Sequence, residues 1–524
     1  MNKKIKIIAL VAVIVCALAA LAGCGGNNSA QKNGETNKVT YWVALSGNAS
    51  QVVTNLAETP FAQKLMETFD CEIEYQHPAQ GQAAEKFNVL IASGKLPDII
   101  EYGWQGYPGG PQKAIDDNII YPLNLKKDAP NLKKFIESEQ GVSLGVDKML
   151  KTDKGEYFGY PFIRGERYLQ TSAGLIVRED WLSDLGLELP ETVSEWEVVL
   201  KEFKEKKTNG NAPSIGGLLN VQGGFIQAFG VATNGLYVED GKVKYGAMED
   251  GFKEYLILMN DWYNKGYIAS DYVSGTNEQS AMLNNEIGVM FGSCGSGIGR
   301  MMSATTDEKF NVTGAKMPVL NKGDRPMYGS YQNAVTGIFG VITQDAQNKE
   351  LCAKILDYGY SDEGMMLHNF GIEGESYELV EKEGYNGKYP KFTELITNNP
   401  EGLSMAVSMS RYTLSHAEGP FVQKREYMEQ YAQLSQQQEA LVRWMDNDAS
   451  EHYLPPVTLT DEQYQEILTN EADITTYRNE MVNKFIMGQV SIDKFEEFRQ
   501  GLKDRGIEKY LKYYQEAYDR YMTR

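Results

Sequence analysis

Between residues 38 and 102 the chain alternates between two hydrophobic periods, and this alternation restricts the fold more than any other feature. "KVTYWVAL", "CEIEYQHP" and "LPDIIEYG" carry β-branched and aromatic residues at strand density; "LAETPFAQKLMETF" and "GQAAEKFNVLIASGK" separate them with a helical period. Thr59 is placed to cap the first helix and Pro60 to open it, which sets Phe61, Leu65 and Phe69 on one face. Such a βαβαβ run predicts a parallel sheet with helices on both faces. Ligands of such sheets lie beyond the carboxyl ends of the strands, here near Trp42 and around "EYGWQGYPGG".

A second series follows "GEYFGYPFIRGERYLQTS". "GLIVREDWLSDLG" reads as a strand entering a helix, and "LPETVSEWEVVLKEFKEKK" as a helix with a capping box at Thr192 and Glu195. "EIGVMFGSCGSGIG" is a buried strand ending in a Gly-rich loop, and "TGAKMPVL" and "AVTGIFGVIT" are further strands. Beyond about residue 346 the pattern turns mostly helical, with another capping box at Thr460 and Gln463. No repeat of fixed short period interrupts this layout. It predicts an α/β protein of two lobes with a helical C-terminal part.

Three lysines among the first six residues precede an apolar run from Ile7 to Ala22, shorter than the roughly 20 residues of a spanning helix. The pattern is that of a signal peptide over residues 1–23. Leu21-Ala22-Gly23-Cys24 resembles the lipobox of bacterial lipoproteins, which implies cleavage before Cys24 and lipidation of its sulfur. Residues 24–37, rich in Gly, Asn, Ser and Lys, then form a flexible tether. The implied location is the outer face of a bacterial cell membrane, held only through the lipid.

Composition removes other classes. The formal charge is −20, and −23 once Lys3, Lys4 and Lys6 are gone, which argues against nucleic acid as a partner. Cys71, Cys294 and Cys352 are too few and too scattered for a disulfide framework, and four histidines without ligand spacing make a metal site improbable. "GSGIG" lacks the residues of a P-loop or dinucleotide fingerprint and there is no G-x-S-x-G elbow, so no cofactor is expected. Tyrosine, at 32 copies, combines a flat apolar face with a polar tip and suits ring-shaped polar ligands as well as packing.

Several stretches together resemble the extracellular solute-binding proteins, family 1, of carbohydrate ABC transporters. They are "LIASGKLPDII", "VREDWLSDLGLELPETVSEW", "WYNKGYI", "FGIEGESYELV" and the closing "ITTYRNEMVNKFIMGQVSIDKFEEFRQGLKDRGIEKYLKYYQEAYDRY", the last two similar to its long oligosaccharide-binding branch. The resemblance implies a class II periplasmic-binding-protein fold with a sugar held between two lobes, residues 38–165 with 326–400 and residues 166–325 with 401–524. It also implies an oligosaccharide ligand, permease subunits as partners, and a non-catalytic, monomeric protein. A neutral plant or yeast cell-wall glycan is the first expectation and an acidic, uronate-containing one the second. Several long relatives carry a calcium loop where this chain has "KEKKTNGNAPSIGG", which lacks the carboxylates calcium demands, so no calcium is expected there.

A sugar-binding cleft needs flat aromatic platforms and paired hydrogen-bonding side chains. The strand-end positions nominate Trp42, Tyr102, Trp104 and Tyr107. The first crossover nominates Tyr160, Phe162, Arg164, Glu166 and Arg167, with Arg164 suited to vicinal hydroxyls or a uronate carboxylate, and equally to a salt bridge across the hinge. Phe291 and Ser293 end the Gly-rich strand, where free backbone amides are expected; Tyr328, Ser330, Tyr331 and Gln332 lie in the return crossover, and Trp444 is a further platform. Trp181, Trp196 and Trp262 fall at apolar helix positions and read as core. Among 71 carboxylates no pair is singled out by its context, so a glycoside hydrolase is the enzyme alternative without a nominated acid and base.

Overall fold

In the computed structural model, residues 37–414 and 419–524 are described; the apolar run, Cys24 and His416 lie outside them. Among the described residues no helix is long and apolar enough to cross a membrane.

The first sheet is built as the alternation predicts, then extended in a way it does not. Strand β1 (Lys38–Trp42) is flanked by parallel β2 (Glu72–Gln76) and β3 (Ile99–Tyr102). Between β1 and β2 runs α1 (Pro60–Phe69), where the Thr59 hydroxyl accepts from the Ala62 amide and Phe61 and Leu65 are buried. Helix α2 (Ala83–Ser93) makes the second crossover. Strand β4 (Tyr160–Arg164) does not join β3 directly: β10 (Val335–Ile342) inserts between them, antiparallel to both. The short β13 (Val422–Gln423) closes the edge beside β4 in parallel, giving the order β13-β4-β10-β3-β1-β2. The division at residue 401 is therefore corrected, because the chain is still completing the first lobe's sheet at Gln423.

The second lobe centres on β5 (Ala173–Arg178), flanked on both sides by antiparallel strands, β8 (Val289–Ser293) and β9 (Val312–Gly314). Helix α3 (Glu179–Leu185) follows β5, and α4 (Val193–Lys206) opens with the expected reciprocal box: Glu195 N donates to Thr192 Oγ1 at 3.2 Å, and Thr192 N donates to Glu195 Oε2 at 3.0 Å. Trp181, Trp196 and Trp262 are buried in this lobe's core. Two further strands, β6 (Leu236–Glu239) and β7 (Lys242–Tyr245), form a hairpin at Asp240-Gly241, both with positive φ, as a two-residue primed turn requires. The region beyond residue 346, expected to be mostly helical, contains the β11 (Tyr377–Val380) and β12 (Tyr389–Phe392) hairpin.

Three long elements end the chain: α5 (Asp461–Ile486), capped by Thr460 and Gln463 as predicted, α6 (Phe495–Asp504) and α7 (Ile507–Met522). They pack into the second lobe through Ile467, Ile474, Phe485, Phe498 and Ile507. The far end of α7 belongs to the other lobe: Tyr521 is buried in the first core, and Asp153 pairs with both Arg520 and Arg524 at 2.7 and 2.6 Å.

Candidate functional site

The aromatic residues at the carboxyl ends of β1 and β3 pack on one another. Tyr102 stacks on Phe87 at 3.9 Å, Trp42 stands edge-on to Tyr102 at 6.0 Å, and Trp104 meets Phe87 edge-on at 5.2 Å. Trp104 is fully enclosed and donates its indole N–H to Ile100 O at 3.4 Å, and Trp42 is also buried. Only Tyr102 and Tyr107 keep partial exposure; the Tyr107 hydroxyl donates to Asp117, and burial with that carboxylate pushes its pKa up to about 12. Trp104 as a platform is thus corrected to a core residue.

Trp444 is also a core residue. Its ring lies over β5 and β9 where both strands carry glycine: a Cβ on Gly174 would stand 2.3 Å from Trp444 Nε1, and one on Gly314 would meet the same ring at 2.9 Å. Its N–H donates to Leu175 O at 3.3 Å.

Along β4, Tyr160, Phe162 and Arg164 share one face by the two-residue period of a strand. Helices and loops cover the first two completely. Tyr160 donates its hydroxyl to Asp128 O at 2.7 Å, and Phe162 packs edge-on against Phe421 at 5.1 Å, so neither is free to meet a ligand here. Arg164 is 8% exposed, and among the described residues its side chain makes one long hydrogen bond, Nη1 to Asn333 O at 3.5 Å, with its guanidinium 5.4 Å from the Phe162 ring. The expected alternative, a salt bridge across the hinge, is made by its neighbour instead: Glu166 lies 3.9 Å from Arg425. Burial raises the Glu166 pKa, and the Arg425 charge opposes that rise.

Arg167 lies over the Tyr331 ring at 4.9 Å and reaches only long acceptors: Thr171 Oγ1, Met445 O and Asn447 Oδ1 at 3.3 to 3.5 Å. Tyr331 is buried, edge-on to Tyr453 at 5.3 Å, and accepts from Gln170 Nε2; Tyr328 stacks on Tyr453 at 6.4 Å. Ser330 is buried and Gln332 exposed. Tyr453, which ties this cluster together, was not among the sequence candidates; nothing but its being one of 32 tyrosines marks it.

At the end of β8 the expected free amides are partly taken. The Glu278 carboxylate accepts from the amides of Gly216 and Gly217, at 2.5 and 2.9 Å, and from that of Phe291. Ser293 spends its hydroxyl on Ser296 Oγ at 2.6 Å and caps the turn that follows. Beyond that turn lies an open groove of about 670 Å³ of mixed polar and apolar lining, with walls from both lobes: Asn48, Thr397, Ser404 and Met405 on one side, Ser296, Arg300, Tyr431 and Leu434 on the other. The mainly apolar pocket beside the first sheet, lined by Tyr41, Leu56, Phe61 and Leu414, has only about 60 Å³, room for a few waters and no sugar ring. Among the described residues no cluster of three or more metal-ligating side chains occurs.

The sequence profile described as bacterial extracellular solute-binding protein matches residues 54–366. The chain is 26% identical over 559 residues to FusA of Streptococcus pneumoniae, a fructooligosaccharide ABC transporter substrate-binding protein, covering 98% of this chain and 97% of that protein. The solved structure of FusA with kestose superposes with a TM-score of 0.66 at 22% identity, covering 93% of this chain and 99% of the other. LipO, a lipoprotein of Bacillus subtilis, is 26% identical over 450 residues, covering 81% of this chain and 84% of its own length. YtcQ of the same organism, a polygalacturonan/rhamnogalacturonan-binding protein, is 22% identical over 538 residues, covering 97% and 98%. FusA and YtcQ are both named for the binding of a substrate.

Proposed function

Since the chain belongs to the bacterial extracellular solute-binding proteins, we propose that it captures an oligosaccharide between its two lobes and delivers it to the membrane subunits of an ABC importer. The observation that carries this reading is the groove of about 670 Å³ whose walls come from both lobes and combine Asn, Gln, Ser, Thr, Arg and Tyr with Met, Leu, Ala and Gly. Side chains of this kind match the hydroxyl rim of a sugar and its C–H faces. FusA and YtcQ support the ligand class, one with a neutral glycan in its name and the other with an acidic one. A ligand touching both walls stabilises the closed arrangement by its differential affinity for the two states.

The Leu-Ala-Gly-Cys sequence, with LipO named a lipoprotein, supports a lipid anchor at Cys24 that tethers the protein beside its permease. Replacing Cys24 with Ala should release the protein into the medium; retention at the membrane would count against the anchor. Small-angle scattering across an oligosaccharide panel tests the main reading. A bound glycan should reduce the radius of gyration, and an unchanged value at saturation for every glycan that binds would contradict lobe closure.

A further inference from the structure

We propose that Arg164, supported by Arg167, forms a carboxylate subsite at the hinge, so that the glycan this chain captures carries uronate-type sugars. This rests on the oligosaccharide reading above and narrows it to one chemical class.

The argument starts from the cost of an unmatched charge. A buried guanidinium has five N–H donors and a full charge, and folded proteins normally meet both with a carboxylate. Arg164 is nine-tenths buried, yet among the described residues its guanidinium makes a single hydrogen bond, a 3.5 Å contact to a backbone carbonyl. Burial lowers its pKa and the Tyr453 hydroxyl opposes that; among the described residues no carboxylate contributes. Burial lowers its pKa to about 10, so the charge is still present at neutral pH. Arg167, three residues on, repeats the pattern with long bonds to neutral acceptors only, and burial lowers its pKa as well.

Acids are not scarce here: the chain has 71 Asp and Glu against 51 Lys and Arg. Glu166 lies between the two arginines in sequence and is turned to Arg425. The crossover thus holds one buried and one half-buried cation with no carboxylate partner among the described residues, at the place where the lobes join. Neutral sugar hydroxyls would satisfy some N–H groups but leave the charge unmatched. A carboxylate satisfies both, through the forked pair that guanidinium geometry favours. The negative net charge of the whole protein does not forbid an acidic ligand. Screening limits distant repulsion to about 8 Å at physiological salt, and contact with Arg164 lies well inside that.

Calorimetric titration of the chain from residue 25 onward tests this with four probes: oligogalacturonates, their methyl esters, oligoalginates, and neutral fructo-, manno- and xylo-oligosaccharides. Binding of at least one acidic series is expected. Esterification should weaken oligogalacturonate binding about 30-fold or more, the scale of a lost charge-assisted pair. Arg164→Gln should cause a similar loss for the acid and little for the ester, and Arg167→Gln a smaller one. The ester arm needs no substitution, so it stands even if a variant fails to fold. Binding of neutral glycans alone, or acid binding that changes less than about threefold on esterification and on Arg164→Gln, would overturn the subsite and leave the oligosaccharide reading intact. A folded protein that binds none of the probes would overturn both.

Discussion

Arg164 and Arg178 end consecutive strands, β4 and β5, and both side chains are buried, but they are matched in opposite ways. Arg178 donates Nε and Nη2 to the two oxygens of Asp180 at 2.8 and 2.6 Å, and Nη1 to Asn285 Oδ1 and Met282 O. Trp181 and Phe310 enclose its guanidinium at 4.5 and 4.4 Å. Arg164 has an aromatic neighbour too, but only the one long bond. The difference separates a charge used to hold a strand to a helix from a charge left open where the lobes meet. Breaking the matched one should give the largest effect. Arg178→Met strands the Asp180 carboxylate and the Asn285 amide, and should cost about 3–5 kcal/mol in urea unfolding. A loss below about 1 kcal/mol would remove the contrast.

His368 shows a third way to bury a base, which is to leave it neutral. It is fully enclosed and lies edge-on to Phe61 at 5.0 Å, so burial lowers its pKa to about 4, opposed by the hydrogen bond between its Nδ1 and Gly364 O at 2.7 Å. The unfolded chain binds this proton near pH 6.5 and the folded one only near pH 4. Stability contributed by the neutral ring is therefore complete above pH 6.5 and declines as pH falls toward 4, by roughly 3 kcal/mol at most. Thermal unfolding between pH 7 and 4 should follow that slope, and His368→Phe should flatten it. An unchanged slope in the variant would assign the acid sensitivity to other groups.

These contrasts mark what could be read from the sequence. The Thr59, Thr192 and Thr460 caps were legible because each depends on residues three positions apart. Trp181, Trp196 and Trp262 were legible because helical period places them inward. The site was much less so. Trp104 looked like a platform because strand ends usually face ligand, and Trp444 was nominated from the C-terminal helices, yet Phe87 and the paired glycines at 174 and 314 enclose them from a distance in the chain. The insertion of β10 between β3 and β4, and the return of β13 at residue 422, are pairings across more than 150 residues that no local pattern encodes. Arg164 was nominated from its crossover, but its lack of a partner depends on Glu166 choosing Arg425, some 260 residues away.

A smaller effect is expected where a charge is matched at the boundary between the lobes. The Arg524 side chain is 3% exposed and shares Asp153, itself 22% exposed, with Arg520. Lys148 Nζ also donates to Met522 O at 2.9 Å, so the end of α7 is tied to the first lobe by several contacts at once. Asp153→Asn should cost about 1–2 kcal/mol and make the remaining stability less dependent on salt. A loss as large as that of Arg178→Met would mean that this tie holds the lobes together by itself.

The smallest change in stability is predicted for Arg164→Met. If the guanidinium is unmatched in the unliganded protein, removing it deletes a desolvation cost and few favourable contacts, while Met fills much of the same space beside Phe162. Replacing buried charge with an apolar chain of similar volume is neutral or stabilising in comparable settings. The unfolding free energy should therefore move by less than about 1 kcal/mol, and upward more readily than down. A destabilisation above about 2 kcal/mol would show that Arg164 is already satisfied without ligand, and would place it with Arg178 as a structural residue. The same variant separates the two roles, since a hinge cation that contributes little to folding should matter only when an acidic glycan is present.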